Sequence, residues 1–549
     1  MIAVAQSIGK RNVPLKVIFT VASVLFAVFL LVPMVMIFVK SVTGGGSVTL
    51  ANYADILSRS NFGAAFRNSV LVSAAAGLLT TLLAFVLAYT VNYTNVSRAV
   101  KKIIKVLAVV PMFLPTITYG FAIIYSFGKQ GLITILFGGH QFFDIYGVPG
   151  LMIGYVIYTL PIAFMLLDNT MQYIDKKFMI VSRAMGDSKL RSFMTTVVSP
   201  LLGTFAASFI QSFTLSFTDY GIPTSVGGNM DLVANLLYNE MLGSLPNFNT
   251  GSAVAITMLL PSIVSILLLT YLERFNVRYN KISVIDIEKN KARDITLGIV
   301  SLIIILLMMS IFAVIFVVPF VNQWPYRLEP SFEHVSKILS DPTLMSVFGN
   351  SLFTSLMTAV FGTVIVFCTA VISARAGLGK RFGRVFDSIS LVTNTIPGMV
   401  LGVAYLLTFS GTPIQNTFFI IIVCNIIHFF SSPYIMMKNG LEKLNSSWET
   451  TAKLMGDNWI KTTLRIIVPN SFGTIAEVFG YYFINAMVTV SAVIFIAGAR
   501  TMVITAKIKE LQHFSNFNEI FVLSILILIT NLVIKGIMYL LLNKKQKNK

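Results

Sequence analysis

The stretch Ala452–Pro469, AKLMGDNWIKTTLRIIVP, is polar and of mixed charge, and a sibling lies far upstream at Ser182–Pro200, SRAMGDSKLRSFMTTVVSP. Both place Met-Gly-Asp ahead of a basic amphipathic segment and a proline that opens an apolar run. In the second copy Leu444, Trp448, Thr451/Ala452 and Met455 recur at helical spacing and form one face of a short helix. Gly456 suits the left-handed position that ends such a helix. Asp457 or Asn458 can cap the next helix, which carries Lys461 and Arg465 towards Pro469. The first copy reads alike: Phe178, Val181 and Ala184/Met185 form the face, Gly186 stops the helix, and Asp187 or Ser188 caps its successor. Each copy predicts a helix–turn–helix bracket with an apolar knob in charged surroundings. A single bracket could be a connector packed under its neighbours; a matched pair suits docking into grooves on another protein.

The surroundings of these brackets are strongly apolar. The chain has 549 residues, 56% of them hydrophobic and only 11% charged, with a mean hydropathy of +0.81. Soluble domains carry about a quarter charged residues, so the composition is that of an all-α polytopic membrane protein. Val17–Val39 is an uncharged run of 23 residues, long enough to cross about 30 Å of hydrocarbon. It is too long for a signal-peptide core, has no A-x-A-like site after it, and is followed by further spans, so it reads as a retained first helix. Twelve apolar stretches are expected, at about 15–39, 69–92, 104–127, 147–168, 197–219, 253–272, 295–321, 351–374, 387–409, 417–437, 468–496 and 519–543.

The charge distribution orients them. With both termini in the cytoplasm, internal segments hold 31 Lys/Arg and external loops nine. The positive-inside rule accounts for such a bias, and it removes the nucleic-acid reading that a net charge of +19 invites. Cys368 and Cys424 fall inside apolar runs, which argues against a disulfide or a cysteine metal site.

The chain also repeats itself. Phe66-Arg67-Asn68-Ser69 recurs as Phe348-Gly349-Asn350-Ser351, and Pro115 with Gly120 as Pro397 with Gly402, both at an offset of 282. Met185-Gly186-Asp187 recurs as Met455-Gly456-Asp457 at 270, because the first half has a longer external loop near 128–150. Two parallel six-span repeats follow: residues 1–280, a charged cytoplasmic linker over 281–294, and residues 295–549.

The bracket residues resemble the "EAA" loop of the permease subunits of binding-protein-dependent ABC importers. That loop has Glu-Ala-Ala, a glycine a short way on, and Ile-x-Leu-Pro at its far end. The second copy fits with Gly456, nine residues, then Ile466-Ile467-Val468-Pro469. Its Glu-Ala-Ala positions read Thr450-Thr451-Ala452, with Glu449 one place early; the first copy reads Ile180-Val181-Ser182 and has fourteen residues from Gly186 to Pro200 instead of thirteen. "FLPTITYG" (Phe113–Gly120) and "VSAVIFI" (Val490–Ile496) look like segments of the fused iron(III), thiamine and 2-aminoethylphosphonate permeases. The resemblance covers nearly the whole chain. It implies the type I importer fold, with coupling helices at Phe178, Val181, Met185, Gly186 and Asp187 and at Trp448, Ala452, Met455, Gly456 and Asp457. It also implies two cytoplasmic ATP-binding subunits and one extracytoplasmic binding protein as partners, in the cell membrane.

The chain has no ATPase of its own and is not expected to be an enzyme. A phosphate-binding loop needs Gly-Lys followed by Ser or Thr, whereas Gly9-Lys10, Gly128-Lys129 and Gly379-Lys380 are followed by Arg, Gln and Arg. No cofactor is expected in this chain; ATP and magnesium belong to the partner ATPase. Asp219 and Tyr220 in "FTDYGIP", its counterpart Thr489, and Glu477 within the eleventh span are the candidate path residues, since charge inside a membrane is costly and defaults to function. His140, His334, His428 and His513 are scattered and form no ligand cluster. The rival reading is a 12-span secondary transporter of the major-facilitator kind, whose patterned loop lies between spans two and three; this chain has "NYTNVSRAVKK" there. Iron(III) or a small organic ion such as 2-aminoethylphosphonate is the expected solute.

Overall fold

The computed structural model describes residues 2–272, 288–375 and 380–547; the first half of the expected 281–294 linker, residues 281–287, lies outside them. Among the described residues, eight helices are long and apolar enough to cross a membrane: Val13–Ser41, Ser60–Tyr93, Val148–Gln172, Lys189–Thr218, Phe248–Leu272, Lys291–Phe320, Pro342–Ala374 and Phe517–Asn543. Three further apolar stretches are bent pairs, which brings the count to eleven if each pair is one span. The remaining stretch, expected at 468–496, is helical only over Val468–Val488. Glu477, Asn470 and Asn485 make it the least apolar of the set, and after Thr489 the chain leaves the helix for a turn at Val493–Phe495.

The bends have a local cause. In the first half Arg98–Phe113 meets Thr116–Leu136 at 109°, and in the second Arg381–Thr395 meets Gly398–Phe409 at 101°. Each bend falls at a proline, Pro115 or Pro397, with ψ of 145° and 143°. Leu114, ahead of the first proline, is extended at φ −120° and ψ 146°, as the clash with the proline ring requires. The segments expected as plain spans at 104–127 and 387–409 therefore each consist of an amphipathic helix that turns sharply into a twelve-residue helix. At about 1.5 Å per residue the latter is too short to cross the membrane alone. The second amphipathic helix buries Phe386, Ser390 and Thr393, three residues spaced along one face. A third bend, of 59°, separates Phe418–His428 from Ser431–Glu442.

The two halves exchange helices. The first span packs on the second half: Phe19 is 4.9 Å from Phe382, Phe26 is 4.5 Å from Phe430, and Tyr405 donates to the Phe29 carbonyl at 2.6 Å. Reciprocally, the helix Lys291–Phe320, first of the second half, packs on the first half, with Ser301 to Thr90 at 2.8 Å and Phe312 to Tyr119 at 5.5 Å. The last helix joins it there through Ser524–Thr118 at 2.9 Å and Asn531 to the Phe113 carbonyl at 3.0 Å. A small antiparallel hairpin follows each exchanged first helix, pairing Thr43–Gly44 with Ser47–Val48 and Val321–Gln323 with Arg327–Pro330.

Two glycines at equivalent positions let the short helices close on the chain after the fifth and eleventh helices. A Cβ on Gly120 would press on Ser225, and one on Gly402 would press on the Ala492 carbonyl and come within 3.0 Å of the Phe495 ring. Overpacking of this kind costs about 1–3 kcal/mol. Gly402→Val is expected to lower the thermal unfolding midpoint of the detergent-solubilised protein by several degrees, whereas Gly349→Val, where no atom lies within 4 Å of the new Cβ, leaves it close to the wild-type value.

Candidate functional site

Between the halves, at the level of the two breaks, lies a cavity of about 240 Å³. Its lining respects the repeat: Leu114 with Ile396, Thr116 with Gly398, Tyr158 with His428, Ile162 with Ser432, and Asp219 with Thr489. Gln211, Tyr481 and Asn485, from the helices Ser199–Thr218 and Val468–Val488, complete a mixed surface in which hydroxyls, amides, the His428 imidazole and one carboxylate stand among apolar side chains.

Asp219 thus stands where the sequence put it, but it is not a free acid. It is buried and ends the helix Ser199–Thr218. Its Oδ2 accepts from the Ile222 amide at 2.8 Å, and the Thr116 hydroxyl also bonds to it. The carboxylate therefore ties the start of the short helix Gly221–Val226 to the first break. Thr489 ends the equivalent helix with nearly the same backbone angles. The other two expected path residues lie elsewhere. Glu477 is exposed on the outer wall of its helix, on the same face as Gly473 and Gly480, which approach Leu542 and Met538. Tyr220 is buried outside the cavity, stacked 4.8 Å from Tyr238.

That stack brings in a residue that the charge partition counts only among the nine external bases. Lys509, on the helix Ile504–His513, is buried and reaches across from the second half. Its Nζ donates to Thr224 Oγ1 at 2.7 Å and Gln512 Oε1 at 2.8 Å, and lies 5.6 and 5.7 Å from the rings of Tyr220 and Tyr238. Gln512 adds a bond to the Thr224 carbonyl at 2.8 Å. Lys509 is the repeat partner of Tyr238: the amides of Val233 and Ile504 start their helices by donating to Ser69 and Ser351.

The two brackets form as expected. Helices Lys177–Ala184 and Ser447–Leu454 end at Gly186 and Gly456, with φ of +85° and +81°. The amides of Asp187 and Asp457 close back on the carbonyls of Ser182 and Ala452 at 3.1 and 3.0 Å, the closing bond of a Schellman turn. The caps of the next helices are Ser188 and Asn458, which accept from Arg191 and Lys461 at 3.3 and 2.7 Å. Asp187 and Asp457 instead pair with those same basic residues, Arg191 and Lys461. The additional residue of the first copy is absorbed in its second helix, Lys189–Phe193 against Trp459–Thr462. A five-residue π-helical turn and the proline then resume in step at Met194–Val198 and Thr463–Ile467.

Phe178, Val181 and Met185 project outwards on one knob, and Trp448 and Met455 on the other, joined by Ile180 and Leu454. Ala452 turns inwards with its counterpart Ser182; both are buried against the bundle, so Ala452 seats the knob and does not form its tip. Glu449, one place ahead of the motif position, pairs with Arg375 Nε at 3.1 Å at the end of the helix Pro342–Ala374. Arg375 is nearly inaccessible and also donates to the Leu444 carbonyl at 2.8 Å.

Two repeats in one chain, helices exchanged between the halves, a shared cavity and a matched pair of surface knobs define a fused permease of the type I importer class. The chain belongs to the family of binding-protein-dependent transport system inner membrane components, whose model matches residues 80–278 and 366–547. It is therefore a multi-pass inner-membrane permease subunit of an ABC importer. It is not an enzyme, and it works with ATPase and binding-protein partners. It is 24% identical over 497 residues to a permease protein assigned to a ferric transport system in Haemophilus influenzae, covering 86% of this chain and 77% of that one. It is also 24% identical over 499 residues to the ferric transport system permease protein of Actinobacillus pleuropneumoniae, covering 87% and 71%. The molybdate/tungstate transport system permease protein of Pyrococcus furiosus is 26% identical over 188 residues, 34% of this chain and 72% of that one.

Burial pushes the Lys509 ammonium down to about 8. Between that value and the ordinary lysine range near 10.5, the unfolded chain holds a proton that the folded protein has shed, so stability from this group rises with pH across that window. Wild type is therefore expected to gain thermal stability relative to Lys509→Met as pH is raised from about 8 to 10. A pH-independent difference between the two melting curves counts against a buried charge at this position.

Proposed function

We propose that the two knobs are coupling helices, each seated in one cytoplasmic ATP-binding subunit, and that one chain assembles with two such subunits and one extracytoplasmic binding protein. The observation that carries this reading is the pairing itself: two exposed apolar tips on brackets of matching backbone geometry, at equivalent points of the two repeats. Phe178, Val181, Met185, Gly186 and Asp187 form one docking point; Trp448, Met455, Gly456 and Asp457 form the other, seated by Ala452. Both termini then lie in the cytoplasm with the knobs, in keeping with the 31 to nine partition of basic residues.

In this reading ATP draws the two ATPases together around the knobs and rocks the halves, which alternates access to the cavity between them. Asp219 and Thr489 belong to the path by position, with Asp219 holding the wall in place through the Ile222 amide. Iron(III) is the favoured solute, because both relatives that span most of this chain are described as ferric transport permeases. A small organic ion such as 2-aminoethylphosphonate is the second choice. The hydroxyls and amides of the lining are weak ligands, and the Asp219 carboxylate is engaged by the Ile222 amide and Thr116, which suits a solute released by the binding protein and passed on without tight capture.

Native mass measurement of the solubilised complex tests the assembly. One copy of this 60.4 kDa chain with two ATP-binding subunits is expected, and a dimer of the chain as the smallest active unit would overturn it. On the knobs, Trp448 is the larger aromatic, and large aromatics dominate such contacts, with losses of about 2 kcal/mol or more on truncation. Trp448→Ala is expected to weaken ATPase association more than tenfold and more than Phe178→Ala does, as read by titration of the purified subunits.

A further inference from the structure

We propose that two ion pairs of opposite polarity, Lys105–Asp168 and Asp387–Lys438, are positioning clamps that carry movement of each knob to the broken helix lining the cavity. The proposal rests on the knobs being ATPase docking points. Lys105 Nζ lies 3.0 Å from Asp168 Oδ2, and Lys438 Nζ lies 2.6 Å from Asp387 Oδ1. The offsets are those of the repeat: 282 from Lys105 to Asp387, and 270 from Asp168 to Lys438. The same two places are joined in both halves, with the charges exchanged.

The elements joined are the ones that matter for coupling. Lys105 lies on the amphipathic helix Arg98–Leu107 that leads to the break at Pro115, and Asp387 lies on Lys380–Thr395, which leads to the break at Pro397. Asp168 and Lys438 sit near the ends of the helices Val148–Gln172 and Ser431–Glu442, each nine residues ahead of its knob helix. A third element joins each clamp. Asn92, from the end of Ser60–Tyr93, donates to Asp168 Oδ1 at 2.7 Å. In the second half Tyr434 donates to Asp387 at 2.8 Å and lies 2.6 Å from Ser373, on Pro342–Ala374.

Exchange of polarity between equivalent sites separates two roles. A group that met a solute, a lipid headgroup or a partner would need one sign of charge. A group that ties two helices together needs only a complement, so either sign serves. The arrangement is not a helix-dipole effect either. An acid near a helix C-terminus, as at Asp168, opposes the macrodipole, whereas Lys438 in the equivalent place complements it. Asp168 accordingly has more support, from Lys105, Asn92 and Gln172, the last at 3.0 Å. Asp168 and Lys438 are the less exposed partners, at 11% and 25% of side-chain surface, so losing the other partner strands a largely covered charge.

The test uses the assembled complex in proteoliposomes, with Cys368 and Cys424 replaced by serine and a single cysteine at Ser491 in the cavity wall. The readout is the rate of labelling by a membrane-impermeant maleimide, with and without ATP and vanadate, which needs no knowledge of the solute. The ATP-dependent change in labelling is expected to fall at least fivefold in Lys105→Asp, Asp168→Lys, Asp387→Lys and Lys438→Asp, while ATP hydrolysis and ATPase co-purification persist. The double reversals, Lys105→Asp with Asp168→Lys and Asp387→Lys with Lys438→Asp, are expected to restore it to within twofold of wild type. Should a single reversal fail to assemble, Lys105→Gln or Lys438→Gln takes its place with the same expected loss. An unchanged response in the single variants, or no rescue in assembled double variants, overturns the clamps. Failure of the unmodified chain to co-purify with an ATPase would instead overturn the docking reading.

Discussion

The constraint on which this structure turns is that a backbone carbonyl or amide in the membrane interior has to find its partner inside the protein. Each half breaks a helix at a proline, and each break frees polar backbone groups. At the first break the Tyr119 hydroxyl donates to the Pro111 carbonyl and lies 3.2 Å from that of Leu114, while Asn531, from the last helix of the other half, donates to the Phe113 carbonyl. Irregular backbone of this kind is stable only where protein or a wet cavity surrounds it. The breaks therefore lie where the halves meet, and the cavity lies where the breaks are. Its hydroxyl-rich lining is part of the same solution.

The exchange of end helices follows from that arrangement. A half that kept all its helices to itself would leave its broken segment open to lipid on one side. With the first span laid against Phe382, Phe430 and Tyr405, and Lys291–Phe320 and the last helix laid against Tyr119 and Thr118, each break is covered by the other half. The halves cannot separate without uncovering both breaks. Fusing them in one chain keeps the two sets of covering helices at fixed stoichiometry. Lys509 closes one rim of the same interface, where neutral groups and aromatic faces, not a carboxylate, surround its charge.

Much of this was legible in the sequence, and the failures share a cause. Apolar length located eleven of the twelve expected stretches, three of them bent, and the two glycines and the repeat offsets located the brackets. Hydropathy sums along the chain and is blind to direction, so the runs at 104–127 and 387–409 read as straight spans although Pro115 and Pro397 were in plain view. Burial has the same blindness to face. Glu477 and Asp219 were equally plausible as intramembrane acids, yet one points outwards from its helix and the other caps a neighbour. The caps at Ser188 and Asn458 stood among the two candidates named at each turn, and only geometry separates a cap from an acid that pairs one turn later. Lys509 was hidden because a lysine in an outer segment is ordinarily solvated, and nothing local announces a helix that folds back into the interface.

The two halves keep their backbone more faithfully than their side chains, and this bears on how the chain works. Both knobs end in the same left-handed glycine, yet Ser182 holds Asp187 with its hydroxyl at 2.7 Å where the second knob has Ala452, and Glu449 grips Arg375 where the first has Met179. The extra residue before Pro200 is absorbed within one short helix, so that the π-helical turn and the proline stay in step. A symmetric pair of six-span subunits must use one set of side chains twice, against both copies of its partner. A fused chain is free of that requirement: each half needs only to complement what it touches, and equivalent contacts can be rebuilt with other residues. If the knobs dock ATPases as proposed, they can do so with different strengths on one backbone framework, because the geometry they share lies in the turn and the helix ends, not in the residues that fasten them.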